Sequence, residues 1–97
     1  MTAERMQRIE QRLRAALPVE HLEIEDEGHL HVGHAGARDG RGHFRLLVVS
    51  EAFDDKSPLQ RHRLVNDAIG DLFDTDIHAL SIRALTDAER ARDEQDA

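Results

Sequence analysis

The feature that most constrains the fold is a short run of residues, 43–50, with the sequence HFRLLVVS. Its β-branched, aromatic and large apolar residues favour a strand. Alternate side chains of a strand point to opposite faces, so the residues alternating from Phe44 share one face and those alternating from Arg45 share the other. Both sets are apolar after the arginine. We therefore expect both faces of this strand to be at least partly covered by other parts of the chain.

Helices and two further strands are predicted on either side of this run. Apolar residues spaced three and four apart indicate an amphipathic first helix, and strict alternation indicates the strands. Ser57-Pro58 is typical of an N-cap followed by proline at the first helical position, and Thr86 with Glu89 fits a capping box. The predicted elements are a helix over 2–17, a short strand around 22–24, the strand 43–50, a helix from 57 to 73, a strand over 77–85 and a short final helix after 86.

This order, α-β-β-α-β-α, predicts an α+β domain of two layers, with a three-stranded sheet and the helices on one face. The 97 residues have room for one such domain. We assign it to residues 1–90 and expect the acidic stretch 91–97 to be a disordered tail.

Composition excludes several classes of protein. The chain has no cysteine, which removes disulfides, thiolate nucleophiles and sulfur-ligated zinc sites. It has no apolar run near the roughly 20 residues that cross a bilayer, and its start is charged throughout, so we expect a cytoplasmic protein without a membrane partner. A formal net charge of −7 argues against indiscriminate binding to nucleic acid.

Histidine is the residue type with the most chemical promise, since the chain has seven. His29, His31 and His34 lie in a glycine-rich stretch, 28–42, that we expect to be a long loop, and His43 follows it. Imidazole is a common metal ligand, so this stretch is either a metal-binding loop or a set of exposed polar side chains. No nucleotide-binding, zinc-protease or paired-carboxylate motif occurs, and we therefore expect no enzyme activity.

His78 falls in the third predicted strand. It alternates there with Leu80 and Ile82, which places it on their face. Such a histidine is more often a partly buried structural residue than a ligand. Its position at the start of the strand nevertheless puts it at an edge of the sheet, within reach of the predicted loop.

Basic residues concentrate in one window, 38–63, which holds six basic and four acidic side chains. Lys56, Arg61 and Arg63 lie near the start of the second long helix. They form either a solvated helical turn or a set of phosphate contacts.

The segments that carry a family resemblance are SPLQRHRLV at 57–65 and IHALSI at 77–82, with HF, VVS and FDDKS between residues 43 and 57. They are similar to the BolA family, in register from about residue 6 to 88. The family usually has glycine where Asp55 stands in the turn before the second long helix. Aspartate tolerates the left-handed backbone better than most residues, so we expect that turn to persist.

The resemblance implies a class II KH-like fold and a 2Fe–2S cluster shared with a monothiol glutaredoxin, which forms a heterodimer with an otherwise monomeric chain. A glutaredoxin cysteine and a glutathione thiol would supply sulfur ligands. The BolA-like chain would supply His78 and a cysteine or histidine from the loop before the second strand. Because this chain has no cysteine, the loop ligand would be a histidine. The family position aligns best with His31, and His34 and His29 are the next candidates.

The function implied is that of a non-enzymatic adaptor in iron–sulfur cluster trafficking or assembly, or in iron and redox regulation. The alternative, also implied by the family, is a DNA-binding transcriptional regulator of stress response and cell morphology. Lys56, Arg61 and Arg63 would then contact the phosphates.

Overall fold

The computed structural model describes residues 2–27 and 42–96. Its elements, in chain order, are α1 (Thr2–Ala16), β1 (Val19–Asp26), β2 (Gly42–Ser50), α2 (Pro58–Ile69), β3 (Ile77–Leu85) and α3 (Asp87–Asp96), with short 3₁₀ helices at Glu51–Phe53 and Gly70–Asp74. The predicted order of helices and strands is confirmed. Within these residues, no helix is long and apolar enough to cross a membrane.

Local capping explains where two of the helices begin. The Ser57 side chain accepts a hydrogen bond from the Gln60 backbone amide, while the Gln60 side chain accepts one from the Ser57 amide, which is a complete capping box before Pro58. Thr86 and Glu89 exchange the same pair of bonds before α3, at 2.8 and 3.2 Å. The helix predicted to reach residue 73 instead ends as an α-helix at Ile69 and continues as a 3₁₀ helix.

The three strands form one sheet in the order β1-β2-β3, with β1 antiparallel and β3 parallel to β2. One face of this sheet packs against α1 and α2. Residues buried between these layers form the hydrophobic core, which includes Ile9, Leu13, Phe44, Leu46, Val48, Phe53, Val65, Ile69 and Ile77. The architecture is the predicted α+β domain built around a three-stranded sheet.

The third helix departs from the predicted layering, because α3 contacts the other face of the sheet. Arg90 of α3 lies 3.2 Å from the His21 ring nitrogen, and Arg83 of β3 pairs with Asp93. Val49 points to this face and is fully buried, as the apolar pattern of β2 predicts. The helix also continues to Asp96, where the sequence predicts a disordered tail from residue 91. The pair between Arg83 and Asp93 falls within that stretch.

Among the described residues, the one non-glycine residue with a left-handed backbone conformation lies in the turn before α2. Asp55 has a φ of 59°, in the region where glycine is favoured. The expectation that aspartate would accept this conformation is confirmed.

Candidate metal-ligand site

His78 is the one predicted ligand that lies within the described residues, and its side chain is exposed. The register between β2 and β3 shifts beside it: Gly42 is opposite Ile77, whereas His43 is opposite Ala79. His78 is therefore an extra residue between two regular pairs, which is the arrangement of a bulge. Bulges change the direction in which a side chain points, and this one leaves an exposed imidazole at the start of β3.

The bulge also corrects the predicted face of His78. Strict alternation puts His78 on the same face as Leu80 and Ile82, which pack against the core. Because one residue is inserted at His78, it is Ile77 that is buried with them, and the His78 side chain is exposed. Alternation fails here because it holds only while every residue is paired in register.

A second histidine lies directly beside His78. The ring centroids of His43 and His78 are 5.0 Å apart, and the ring planes are tilted by 50°. His43 is half-buried on the central strand, and its Nε2 atom is shielded from solvent. The sequence places His43 directly after the predicted loop, 35 residues before His78, and carries no signal that the two rings lie together. Their contact depends on the register shift between β2 and β3.

Glu27 and Gly42, the residues on either side of segment 28–41, are hydrogen-bonded to backbone near these rings. The Glu27 amide donates a 2.7 Å hydrogen bond to the His43 carbonyl, which joins the last described residue before the segment to β2. The Gly42 amide donates to the Asp76 carbonyl at 2.9 Å, which joins the first described residue after it to the start of β3. The candidate loop ligands His31, His34 and His29 lie outside the described residues. Of the two flanking residues, Glu27 is bonded to His43, and Gly42 lies opposite Ile77, the residue before His78.

Asp76 anchors this end of the sheet. Its carboxylate, almost wholly buried, accepts hydrogen bonds from the Arg8 guanidinium at 2.6 and 3.0 Å, and Arg5 lies 3.5 Å away. The Arg8 hydrogen bond is the main cause of the lowered pKa of Asp76, and the Thr75 hydroxyl contributes at 3.1 Å. The backbone two residues before His78 is thus tied to α1 by charge-assisted bonds.

Beside the two histidines there is a shallow cavity of about 230 Å³, lined by Glu27, His43, Phe44, Ala79, Leu80 and Ser81. The Glu27 carboxylate is directed to its rim, where it pairs with Arg45 at 2.8 Å. Ala79 and Ser81 of β3, two of the lining residues, are exposed.

The donor set defines what the site can do chemically. Within residues 2–27 and 42–96, no three histidine or carboxylate side chains converge in a way that could hold a metal ion. His78 offers one accessible imidazole, which suits an iron or other borderline metal. A metal group bound here would therefore need further ligands from segment 28–41 or from a second molecule.

The three basic residues predicted to contact phosphate are placed differently from one another. Lys56 and Arg63 are exposed. Arg61 is used inside the fold: its guanidinium donates to the Glu89 carboxylate at 2.5 and 3.3 Å and to the carbonyls of Ala84 and Lys56 at 3.1 and 2.9 Å. The sequence suggested Arg61 as a phosphate contact, but in the structure it joins α2 to β3 and α3.

The fold defines a class: a small α+β domain with a three-stranded sheet and an exposed histidine at the start of its third strand. A family model for BolA-like proteins matches residues 13–89. The chain is 45% identical over 87 residues to the SufE-like protein 1, chloroplastic/mitochondrial, of Arabidopsis thaliana, covering 84% of this chain and 24% of that protein. It is 43% identical over 81 residues to BolA-like protein 1 of Mus musculus, covering 84% and 57%. The chain belongs to the BolA-like family.

Solved structures agree with this assignment. The BolA domain of SufE1 from Arabidopsis thaliana aligns with a TM-score of 0.74 at 43% identity, covering 86% of this chain and 92% of that one. Yeast Fra2 aligns with a TM-score of 0.59 at 31% identity, covering 89% and 78%. The chain thus spans nearly all of a solved BolA domain, but about a quarter and just over half of the two curated relatives.

Proposed function

We propose that this protein is a non-enzymatic adaptor that binds a 2Fe–2S cluster jointly with a monothiol glutaredoxin and glutathione, and that it serves in iron–sulfur cluster trafficking or iron regulation. The observation that carries the proposal is the exposed imidazole of His78 at the end of the sheet to which Glu27 and Gly42, the residues that flank segment 28–41, are hydrogen-bonded. That segment contains three histidines, and we expect one of them to supply the second imidazole. Membership of the BolA-like family supports the same assignment.

The division of ligands follows from the chemistry of this chain. His78 and one loop histidine, with His31 first and His34 and His29 after it, would hold the cluster on this side. The chain has no cysteine, so thiolate ligands must come from the partner and from glutathione. A cluster with imidazole ligands supplies one-electron chemistry at a higher potential than an all-thiolate cluster. The bulge and the Asp76 anchor hold the His78 backbone at the sheet edge, where a second protein can approach.

Reconstitution tests the assignment. The protein is mixed with a monothiol glutaredoxin, glutathione, iron and sulfide without oxygen, and the heterocomplex is followed by visible circular dichroism and size-exclusion chromatography. His78→Ala and His31→Ala are expected to abolish the spectrum of the heterocomplex. His62→Ala removes an exposed imidazole from α2 and serves as the matched control, expected to behave as wild type.

The outcome that contradicts the proposal is a His78→Ala heterocomplex whose spectrum matches that of the wild type. Since the His78 side chain is exposed, its loss is not expected to unfold the domain, and far-ultraviolet circular dichroism checks this. If His78→Ala abolishes the spectrum but His31→Ala does not change it, His34→Ala and His29→Ala identify the loop ligand.

A further inference from the structure

We propose that His43 is a positioning residue for His78: its ring holds the His78 imidazole in the direction needed for ligation, and its own nitrogen atoms are not ligands. The inference rests on the proposed function for its biological meaning. Its physical content, a fixed orientation of one ring by another, applies equally to the protein without a cluster.

The ring geometry is the first support. A centroid distance of 5.0 Å and a tilt of 50° fall within the range in which aromatic rings attract each other. The two residues are 35 positions apart in the chain, so the contact is tertiary. It exists because the register shift at His78 removes that side chain from the core face and places it beside the His43 ring.

The second support is that the His43 ring is expected to be less mobile than the His78 ring. His43 lies on the central strand, paired with β1 and β3, and its carbonyl accepts the short hydrogen bond from Glu27. Its ring is half-buried, with Nε2 shielded from solvent. His78 is exposed at the start of an outer strand. A fixed ring beside an exposed one can restrict its rotamers, whereas the reverse influence is weak.

The orientation matters because a ligand that is already directed correctly loses less rotamer entropy when it binds. Residues that orient a metal-ligating histidine typically change metal affinity by about 10-fold to 100-fold when they are replaced. We therefore expect His43→Ala to weaken the heterocomplex by about 10-fold, without eliminating its spectrum.

The test compares His43→Phe with His43→Ala. Phenylalanine keeps a ring at this position but has no nitrogen. In the protein without a cluster, nuclear magnetic resonance measures the χ1 couplings of His78 and the nuclear Overhauser contacts between its ring and residue 43. We expect one dominant His78 rotamer in wild type and His43→Phe, and averaged couplings in His43→Ala. His62→Ala is the matched control and should leave His78 unchanged.

The loaded heterocomplex is measured in parallel, through its visible circular dichroism and the rate at which a chelator removes iron. We expect His43→Phe to match wild type and His43→Ala to lose iron about 10-fold faster. If His43→Phe loses the spectrum as His78→Ala does, His43 acts through a nitrogen and the proposal is wrong. It is also wrong if His78 is equally mobile in wild type and His43→Ala.

The two proposals can fail separately. If the wild-type protein forms no heterocomplex but the His78 rotamer still depends on residue 43, the proposed function is wrong and the positioning stands. If His43→Ala does not fold, the wild-type rotamer and its retention in His43→Phe still decide the question.

Discussion

The contact between Arg61 and Glu89 makes a sharp prediction about the stability of this domain. Arg61 donates two hydrogen bonds to the Glu89 carboxylate, and Glu89 also accepts from the Thr86 backbone amide. Its hydrogen bond to Arg61 is the main reason that the pKa of Glu89 is lowered from 4.5 to about 2, and its bond to the Thr86 amide contributes next. Replacing Glu89 with glutamine keeps the side-chain shape and removes the charge.

The size of the effect follows from that lowered pKa. Taken at face value, it corresponds to about 3 kcal/mol of folding free energy. The Glu89 side chain remains 30% exposed, so solvent screening reduces the contribution. We expect Glu89→Gln to lower the free energy of unfolding at pH 7 by about 1 to 2 kcal/mol.

The pH dependence provides the stronger check. A carboxylate whose folded pKa is depressed stabilises the fold above its unfolded pKa, near 4.5, and loses that contribution as the pH falls toward about 2. The difference between wild type and Glu89→Gln should therefore be constant from pH 7 to about 5 and fall by roughly half by about pH 3.

Urea unfolding followed by far-ultraviolet circular dichroism at a series of pH values measures this difference. Glu94→Gln is the matched control, because Glu94 is 65% exposed and pairs with Arg90 of its own helix. We expect that control to lie within about 0.5 kcal/mol of wild type. A Glu89→Gln variant as stable as wild type at pH 7, or a difference that does not change with pH, would refute the reasoning.

Three further predictions concern the backbone around the site and the turn before α2. Gly42→Ala should lower the free energy of unfolding by about 1 to 3 kcal/mol, since an added Cβ would lie 2.5 Å from the buried Phe44 ring. Thermal unfolding measures this, and Gly70→Ala, which has open space around its added Cβ, is the control expected to unfold as wild type. Asp55→Ala should lower the free energy of unfolding by about 1 kcal/mol, whereas Asp55→Gly should be at least as stable as wild type, because the φ of 59° suits glycine. Denaturant titrations measure both variants, and an equal loss of stability in the two would contradict the prediction. Asp76→Ala should lower the free energy of unfolding by about 2 kcal/mol at pH 7, because it removes the carboxylate to which Arg8 donates. Since the pKa of Asp76 is lowered, this loss of stability should become smaller in strongly acidic solution, and a loss that stays constant with pH would contradict the prediction.

Local features of the sequence determine a large part of this fold. The bounds of β3, the N-cap at Ser57, the capping box at Thr86 and the left-handed turn at Asp55 each depend on a few neighbouring residues, and the structure confirms all of them. The alternation in β2 likewise predicts that both faces are covered, and Val48 and Val49 are both fully buried. Such features can be predicted from the sequence because their physical causes act within one turn of helix or one strand.

The tertiary structure alone decides how the site is built. The direction of His78 depends on the register between β2 and β3, and register is a property of two strands together. The ring contact with His43 follows from that register. Arg61 pairs with Glu89, which lies 28 residues further along the chain. In each case the deciding partner is distant in sequence, so composition and spacing carry no information about it.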